Sequence, residues 1–187
     1  MPQQKAPTRT EVLIAGLGGM GVLVAGQVLL EAAARLHEHV SYISSYGFAR
    51  RGGLCECTVI FSDNKIASPL LDHSQTIMIL DSSQFRSFEH RVRPGGVIIT
   101  EKAGLTPERG RDDYNLKAIP GLEMAVSMGS TVINNLILLG SYITITGAVP
   151  PAGIERELQK RYADNEKLME RNLEAFRRGL ELGKDYA

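Results

Sequence analysis

A glycine-rich turn between an apolar strand and a helix limits the folds that are open to this chain. Residues 11–16 form a short apolar run that ends in glycine, which is typical of a buried parallel strand. Gly16-Leu-Gly-Gly-Met-Gly21 follows at once and satisfies the spacing G-x-G-x-x-G. From Met20 to Leu36, apolar residues recur at helical spacing without proline. This order of strand, turn and helix predicts the opening of an α/β fold.

The rest of the chain continues the alternation of strands and helices. Strands are predicted over 40–46, 54–61, 75–81 and 97–100, and helices over 82–91, 121–129, 131–142, 154–162 and 167–182. This alternation predicts a Rossmann-like three-layer α/β domain, with a mostly parallel sheet and helices on both faces. Residues 1–10 are polar and are expected to form a disordered tail, which leaves 11–187 as a single domain.

Composition argues against several classes of partner and cofactor. The 21 Lys and Arg residues balance 21 Asp and Glu residues, so no nucleic-acid partner is predicted. Without a secretory signal or an uninterrupted apolar run of about 18 residues, we expect a cytoplasmic protein that does not span a membrane. Cys55 and Cys57 are too few for an iron–sulfur cluster, and their spacing predicts two buried sulfurs on one face of a strand. No metal site is predicted, because the histidines lack ligand spacing.

The glycine turn is the first candidate site. Backbone N–H groups at a helix N-terminus favour a phosphate or pyrophosphate ligand, so the candidate residues are Gly16, Gly18, Gly19, Met20 and Gly21. The alternative is a turn that serves only to pack helix against sheet. An NAD site would also need an acidic residue at the end of the second strand, where the chain has Ser44-Ser45-Tyr46. A free-standing dehydrogenase is therefore disfavoured.

A second candidate segment follows that strand. In it, Arg50 and Arg51 lie beside glycines after the carboxyl end of a strand, a pattern that suits a phosphorylated or carboxylate ligand. We expect this loop near the glycine turn, with Ser45, Tyr46 and Gly52 as further candidates; the alternative is that the arginines make surface or subunit contacts. No serine has a nucleophile context, so no catalytic residue is predicted.

Two asparagines interrupt an otherwise apolar helix. Asn134 and Asn135 are unusual there, because a buried amide without hydrogen bonds costs about 1–3 kcal/mol. Such a pair either joins parts of the fold or reaches a ligand. Asn134 is therefore added to the candidate binding residues.

Taken together, these segments resemble the gamma subunit of 2-oxoacid:ferredoxin (or acceptor) oxidoreductases, the family of pyruvate, 2-oxoglutarate and 2-oxoisovalerate enzymes. The resemblance extends from about Glu11 to Gly183. It rests on Gly16-Leu-Gly-Gly-Met-Gly21, Ser45-Tyr-Gly, Arg51-Gly-Gly53, Ile66-Ala-Ser-Pro69, Asn134-Asn-Leu-Ile-Leu-Leu-Gly140 and Asn172-Leu-Glu-Ala-Phe176. Many relatives carry an acidic residue two positions before the Arg-Gly-Gly, where this chain has Ala49, so the subfamily stays open.

The resemblance implies a function that the residues alone do not. Enzymes of this family join a 2-oxoacid to coenzyme A with loss of CO2 and pass electrons to ferredoxin or another acceptor. Thiamine diphosphate and the iron–sulfur clusters belong mainly to other subunits, so this chain is expected to bind neither and to be inactive alone. Its expected partners are alpha, beta and ferredoxin-like delta subunits; isolated, it could form a homodimer.

In such an assembly the gamma subunit would help to bind coenzyme A and to hold the complex together. The phosphates of coenzyme A suit a glycine-rich turn with arginines, so the residues and the resemblance agree there. The resemblance favours 2-oxoglutarate over pyruvate slightly. A purely structural subunit and a free-standing nucleotide-binding oxidoreductase are the alternatives.

Overall fold

Six strands form one sheet in the computed structural model, which describes residues 9–46, 53–106 and 108–187. They are β1 (Arg9–Leu17), β2 (His39–Tyr46), β3 (Leu54–Ser62), β4 (Ser74–Ile79), β5 (Val92–Glu101) and β6 (Asn115–Ile119). The order across the sheet is β2-β3-β1-β4-β5-β6. Only β3 runs against its neighbours among these strands, so the predicted mostly parallel sheet is confirmed.

Helices cover both faces of this sheet, as predicted, but unevenly. They are α1 (Val22–Ala33), α2 (Phe85–Glu89), α3 (Gly121–Ser127), α4 (Asn134–Thr146), α5 (Pro151–Arg161) and α6 (Glu166–Gly183). Val12 and Ile14 of β1 face the larger core with α1, α4, α5 and α6, whereas Leu13 faces a smaller core with Phe85 and Phe88. Alternate side chains of one strand therefore serve two cores, because successive residues of a strand point to opposite faces.

The predicted elements differ from the structure at a few places. β6 was not predicted, because Asn115–Ile119 is short, polar at two positions and only half-buried over most of its length. β1 begins at Arg9, two residues before the predicted strand. The predicted helix over 131–142 is divided: a short 3-10 helix precedes α4, which begins at Asn134. The prediction for the cysteines is confirmed, since Cys55 and Cys57 are both buried in the larger core.

After β1 and after β4, the chain crosses opposite faces of the sheet and continues toward opposite edges. From β1 it passes through α1 on the larger-core face to β2 at one edge of the sheet, and from β4 it passes through α2 on the other face to β5. β1 and β4 are adjacent and parallel. In open α/β sheets, ligands bind in the crevice outside the carboxyl ends of two such strands. The glycine turn therefore lies at the position in the sheet where such a crevice is expected.

Glycines bring α4 and α6 together at backbone distance. A Cβ on Gly179 would overlap the carbonyl oxygen of Ile137, and a Cβ on Gly140 would overlap that of Phe176. Ser141 also donates a hydrogen bond from Oγ to the carbonyl oxygen of Gly179 at 3.0 Å. This contact fixes the position of α4 against α6. Within the described ranges, none of the helices combines the length and apolarity needed to cross a bilayer.

Candidate functional site

The glycine turn connects β1 to α1 through two left-handed residues. The N–H of Met20 donates to the carbonyl oxygen of Leu17 at 3.2 Å, which closes the turn. Gly19 has a φ of 98° and Gly21 a φ of 77°, values that side chains other than glycine rarely adopt. Gly21 is the N-cap of α1, and its carbonyl oxygen accepts the first helical hydrogen bond, from Ala25 at 3.1 Å. The turn thus has the backbone conformation that the motif predicted.

The glycines of the turn have different structural roles. A Cβ on Gly16 would lie 3.0 Å from Cγ2 of Val22 and 3.2 Å from Cβ of Leu80, so this residue allows helix and strand to pack closely. The N–H of Gly18 donates to the carbonyl oxygen of Gly53 at 2.8 Å. A Cβ on Gly19, by contrast, would meet nothing within 4 Å among the described residues. Gly16 therefore serves packing, Gly18 serves a hydrogen bond within the fold, and Gly19 has no described neighbour where a side chain would lie.

The N-terminus of α1 presents backbone donors at this edge of the sheet. The N–H groups of Val22, Leu23 and Val24 precede the first helical hydrogen bond, so none has an acceptor within the helix. No acidic side chain lies in the first turn of α1, all of which the structure describes. The helix dipole adds partial positive charge at the same point. This end of α1 therefore suits a negatively charged group.

The loop that contains Arg50 and Arg51, here called the arginine loop, ends at Gly53, which contacts the glycine turn. Gly53 accepts the hydrogen bond from Gly18, because β3 pairs with β1 in a register that sets Leu54 opposite Leu17. At the other end of the loop, Ser45 is exposed and lies opposite Glu56, and Tyr46 pairs with Cys55 through the β2 backbone. The predicted site residues Arg50, Arg51 and Gly52 lie outside the described residues.

A cavity of about 100 Å³ lies between the glycine turn and the start of α4. Its walls are formed by residues of the turn, of the loop after β4, of α3, of the short 3-10 helix before α4 and of α4 itself: Gly19, Met20, Leu80, Leu122, Thr131, Val132, Asn134 and Asn135. The structure thus brings together Gly19, Met20 and Asn134, which the sequence analysis named from segments more than a hundred residues apart.

Asn135 joins α4 to the glycine turn. Its Nδ2 donates to the carbonyl oxygen of Gly21 at 3.1 Å, and its Oδ1 accepts from the N–H of Leu136 at 2.9 Å. The two contacts need opposite ends of the carboxamide, so they fix its direction. A Cβ on Gly21 would overlap this Nδ2. The sequence left open whether the asparagines join parts of the fold or reach a ligand. Asn135 joins parts of the fold.

Asn134 lies in a second polar cluster, around the carboxylate of Glu101 at the end of β5. Oε2 of Glu101 accepts from Nδ2 of Asn134 at 3.0 Å and from the N–H of Leu122 at 2.8 Å, and Oε1 accepts from the N–H of Ala103 at 2.9 Å. Glu101 and Asn134 are each only 3% exposed. Oδ1 of Asn134 is buried and has no hydrogen-bond partner among the described residues.

Sequence reasoning missed Glu101 and four wall residues of the cavity: Leu80, Leu122, Thr131 and Val132. A single acidic residue at the end of a strand gives no signal of its own, because most such carboxylates face solvent. The two asparagines did give a signal, since buried amides in an apolar helix require partners. Their partners could not be named, because they lie far away in the sequence.

One thiol lies close beneath the first turn of α1 and is chemically inert. Sγ of Cys57 donates to the carbonyl oxygen of Val22 at 3.7 Å. Burial raises the pKa of Cys57 to about 12, although a hydrogen bond with Tyr42 acts in the other direction. The thiol is therefore protonated at neutral pH. Over residues 9–46, 53–106 and 108–187, no cluster of three or more His, Cys, Asp or Glu residues could hold a metal ion.

A family model described as pyruvate ferredoxin/flavodoxin oxidoreductase matches residues 11–182. The chain belongs to this family. The match covers nearly the whole chain and includes the glycine turn, the arginine loop and α4. The resemblance drawn from the sequence motifs is thereby confirmed.

Two curated relatives differ in length. The 2-oxoglutarate synthase subunit KorC of Archaeoglobus fulgidus is 31% identical over 179 residues, which cover 95% of this chain and 90% of that protein. The ketoisovalerate oxidoreductase subunit VorA of Methanothermobacter marburgensis is 31% identical over 183 residues, which cover 94% of this chain but 36% of that protein. The chain therefore spans little more than a third of the length of VorA.

A solved structure shares the fold. The 2-oxoglutarate:ferredoxin oxidoreductase of Magnetococcus marinus, with 2-oxoglutarate, coenzyme A and succinyl-CoA bound, superimposes with a TM-score of 0.87 at 21% identity. The alignment covers 95% of this chain and 31% of that chain. The predicted α/β fold is thereby confirmed for nearly the whole length of the chain.

Proposed function

We propose that this chain is the non-redox gamma subunit of a cytoplasmic, thiamine diphosphate-dependent 2-oxoacid:ferredoxin or acceptor oxidoreductase. The complex would convert a 2-oxoacid to an acyl-CoA with loss of CO2. This subunit would help to bind coenzyme A and to assemble the complex, and would be inactive alone. Thiamine diphosphate and the iron–sulfur clusters would be bound by alpha, beta and ferredoxin-like delta subunits.

The position of the glycine turn carries the proposed role in coenzyme A binding. The turn lies at the carboxyl ends of β1 and β4, where the connections diverge, and the N–H groups of α1 that have no acceptor within the helix lie at the same edge. The phosphates of coenzyme A are ligands of the kind that such an edge favours. Coenzyme A is bound in the Magnetococcus marinus enzyme of the same fold, which supports the proposal.

The oxoacid is proposed as a class rather than as one compound. A relative of similar length is a 2-oxoglutarate synthase subunit, and an equally identical relative is a ketoisovalerate oxidoreductase subunit. We favour 2-oxoglutarate slightly, because the first of these matches this chain over 90% of its own length.

The role in assembly is supported by the longer relatives. A domain like this chain makes up 36% of VorA and 31% of the Magnetococcus marinus chain. In those proteins it is covalently joined to further chain, which supports a role of this domain within a larger assembly. Purification of the chain from its own cells, under mild conditions, is expected to yield partners with thiamine and cysteine-cluster motifs.

Calorimetry with coenzyme A on the intact complex tests the proposed binding role. Arg51→Ala removes one charged partner of a phosphate, and we expect affinity to fall about 10- to 100-fold, as for one charge-assisted hydrogen bond. Arg178→Ala is the matched control, because Arg178 is exposed on α6 and pairs with Glu174. Equal affinities in all three proteins would contradict the proposal.

A purely structural turn is the second candidate function. Two contacts favour it, because neither involves a ligand. Gly16 packs against Val22 and Leu80, and the N–H of Gly18 donates to the carbonyl oxygen of Gly53. It predicts no effect of Arg51→Ala on coenzyme A binding. A free-standing dehydrogenase predicts instead that the isolated chain changes the fluorescence of NAD(P)H, and we expect no such change.

A further inference from the structure

The first N–H groups of α1 have no side-chain cap. The N-terminus of a helix is usually closed by a Ser, Thr, Asp or Asn side chain that accepts a hydrogen bond from these N–H groups. In α1 the N-cap is Gly21, which has no such side chain. No described residue accepts from the N–H groups of Val22, Leu23 or Val24. Within the part of the chain that the structure describes, these three donors are therefore open to a ligand.

Asn135 holds this end of α1 from the carbonyl side. Its Nδ2 donates to the carbonyl oxygen of Gly21 at 3.1 Å, and that oxygen also accepts from the N–H of Ala25 at 3.1 Å. The acceptor end of the same amide, Oδ1, accepts from the N–H of Leu136 at 2.9 Å, so it does not cap α1. Asn135 therefore supports the turn without occupying any of the three donors.

The carbonyl oxygen of Gly21 and the N–H of Val22 belong to one peptide unit. This unit is trans, so it is planar and the two groups point in opposite directions. Because two hydrogen bonds hold the oxygen, the direction of the Val22 N–H is held as well. The backbone of Gly21 needs such support, since glycine restricts its own dihedral angles least of all residues.

We propose that Asn135 is a positioning residue of the coenzyme A site, which fixes the first free N–H of α1 toward a phosphate and leaves it unoccupied. This inference rests on the proposed function, because the phosphate is that of coenzyme A. Asn135 acts through the Gly21 peptide and does not need to touch the ligand. A neutral amide is required, because a carboxylate has no donor for the Gly21 carbonyl and would repel the phosphate.

Two substitutions separate this role from general support of the fold. Asn135→Ala removes the hydrogen bond to Gly21 and adds no charge. Asn135→Asp keeps the shape of the side chain, but it loses the donor and adds a negative charge near the N-terminus of α1. Both variants should therefore bind coenzyme A more weakly than the wild type, and Asn135→Asp should be the weaker of the two.

The test measures coenzyme A binding to the intact complex by calorimetry, and the kcat and KM values of the same complex with a 2-oxoacid. We expect the Kd and KM for coenzyme A to rise about fivefold in Asn135→Ala, as for one neutral hydrogen bond. In Asn135→Asp they should rise about a further tenfold, and an increase in salt from about 0.05 M to about 0.5 M should remove most of this further rise relative to the wild type. The kcat at saturating coenzyme A and the KM for the oxoacid should stay within about twofold of the wild type.

Glu89→Gln is the matched control for lost stability. Glu89 supports the smaller core through Tyr114, on the face of the sheet opposite α1 and α4. Its replacement should lower the melting temperature and leave coenzyme A binding unchanged. An effect that arises only from lost stability would appear in this variant too.

Three results would overturn the proposal. The first is unchanged coenzyme A affinity in both Asn135 variants. The second is an oxoacid KM or a kcat that changes in proportion to the KM for coenzyme A, because it would show a general loss of structure. The third is an equal loss of affinity in both variants at every salt concentration, because it would show that no anion is bound nearby.

Failure of the positioning role can be told from failure of the proposed function. If Arg51→Ala weakens coenzyme A binding and the Asn135 variants do not, only the positioning role is wrong. If neither Arg51→Ala nor the Asn135 variants change the affinity, the proposed binding role of this subunit is wrong as well.

Discussion

Replacement of Gly21 by alanine tests how the glycine turn is held. Gly21 has a φ of 77°, and an alanine there is strained by about 1–2 kcal/mol. The new Cβ would also overlap Nδ2 of Asn135 and lie 2.9 Å from its Cγ, and such overpacking costs about a further 1–3 kcal/mol. We therefore expect Gly21→Ala to lower the free energy of unfolding by about 2–5 kcal/mol.

Gly19 supplies the matched control within the same turn. Its φ of 98° is also left-handed, but a Cβ there would meet nothing within 4 Å among the described residues. Gly19→Ala should therefore show the backbone strain alone, about 1–2 kcal/mol. The difference between the two losses in free energy of unfolding measures the overlap with Asn135.

The assay is urea denaturation of the full-length chain, with the free energy of unfolding obtained by linear extrapolation. In an Asn135→Ala background the overlap is removed, so Gly21→Ala should then cost no more than Gly19→Ala. The coupling between Gly21 and Asn135 is expected to be about 1–3 kcal/mol, as for residues in direct contact. The reasoning is refuted if Gly21→Ala costs the same in both backgrounds, or never more than Gly19→Ala.

Three further predictions concern other parts of the fold. Gly179→Ala should lower the free energy of unfolding by about 1–3 kcal/mol, because its Cβ overlaps the carbonyl oxygen of Ile137; urea denaturation measures it. Burial acts to raise the pKa of Glu89, but hydrogen bonds from Tyr114 and two backbone N–H groups outweigh this and hold the pKa below its usual 4.5. The ionised Glu89 therefore stabilises the fold at higher pH, and this stabilisation is lost as the pH falls through the lowered pKa. Because Glu89→Gln lacks this group, its melting temperature should fall less than that of the wild type between about pH 5 and pH 3. Cys57, with a pKa of about 12, should not react with thiol reagents near pH 8 in the native protein and should react on unfolding; labelling in the native state would contradict its burial.

The sequence predicted most of the fold because the core segments have strong local patterns. β1, β3 and β4 are apolar runs, and the turn glycines occupy the two positions that need a positive φ. β6 escaped prediction because Asn115–Ile119 lies at the edge of the sheet, where a strand needs few apolar side chains. The antiparallel direction of β3 was not foreseen either, since side-chain patterns carry little information about strand direction.

The site was predictable only in part, for a different physical reason. The glycine turn is a local feature, and the asparagines were conspicuous because they are polar in an apolar helix. Their roles depend on contacts across 114 residues, between Asn135 and Gly21, and across 33 residues, between Asn134 and Glu101. One sequence contains no information on which distant residue completes a hydrogen bond, so only the folded chain shows that one amide is satisfied and the other is not.

Stability and binding should separate according to the face of the sheet on which a change falls. Gly179 sets the position of α4, and the first two residues of α4 form part of the cavity wall. Gly179→Ala should therefore weaken binding at the proposed site and also lower the free energy of unfolding. Glu89 supports the smaller core on the opposite face through Tyr114, so Glu89→Gln should reduce stability without affecting the same binding. If both variants lost binding in proportion to stability, the affinity would depend on the fold as a whole and not on the position of α4.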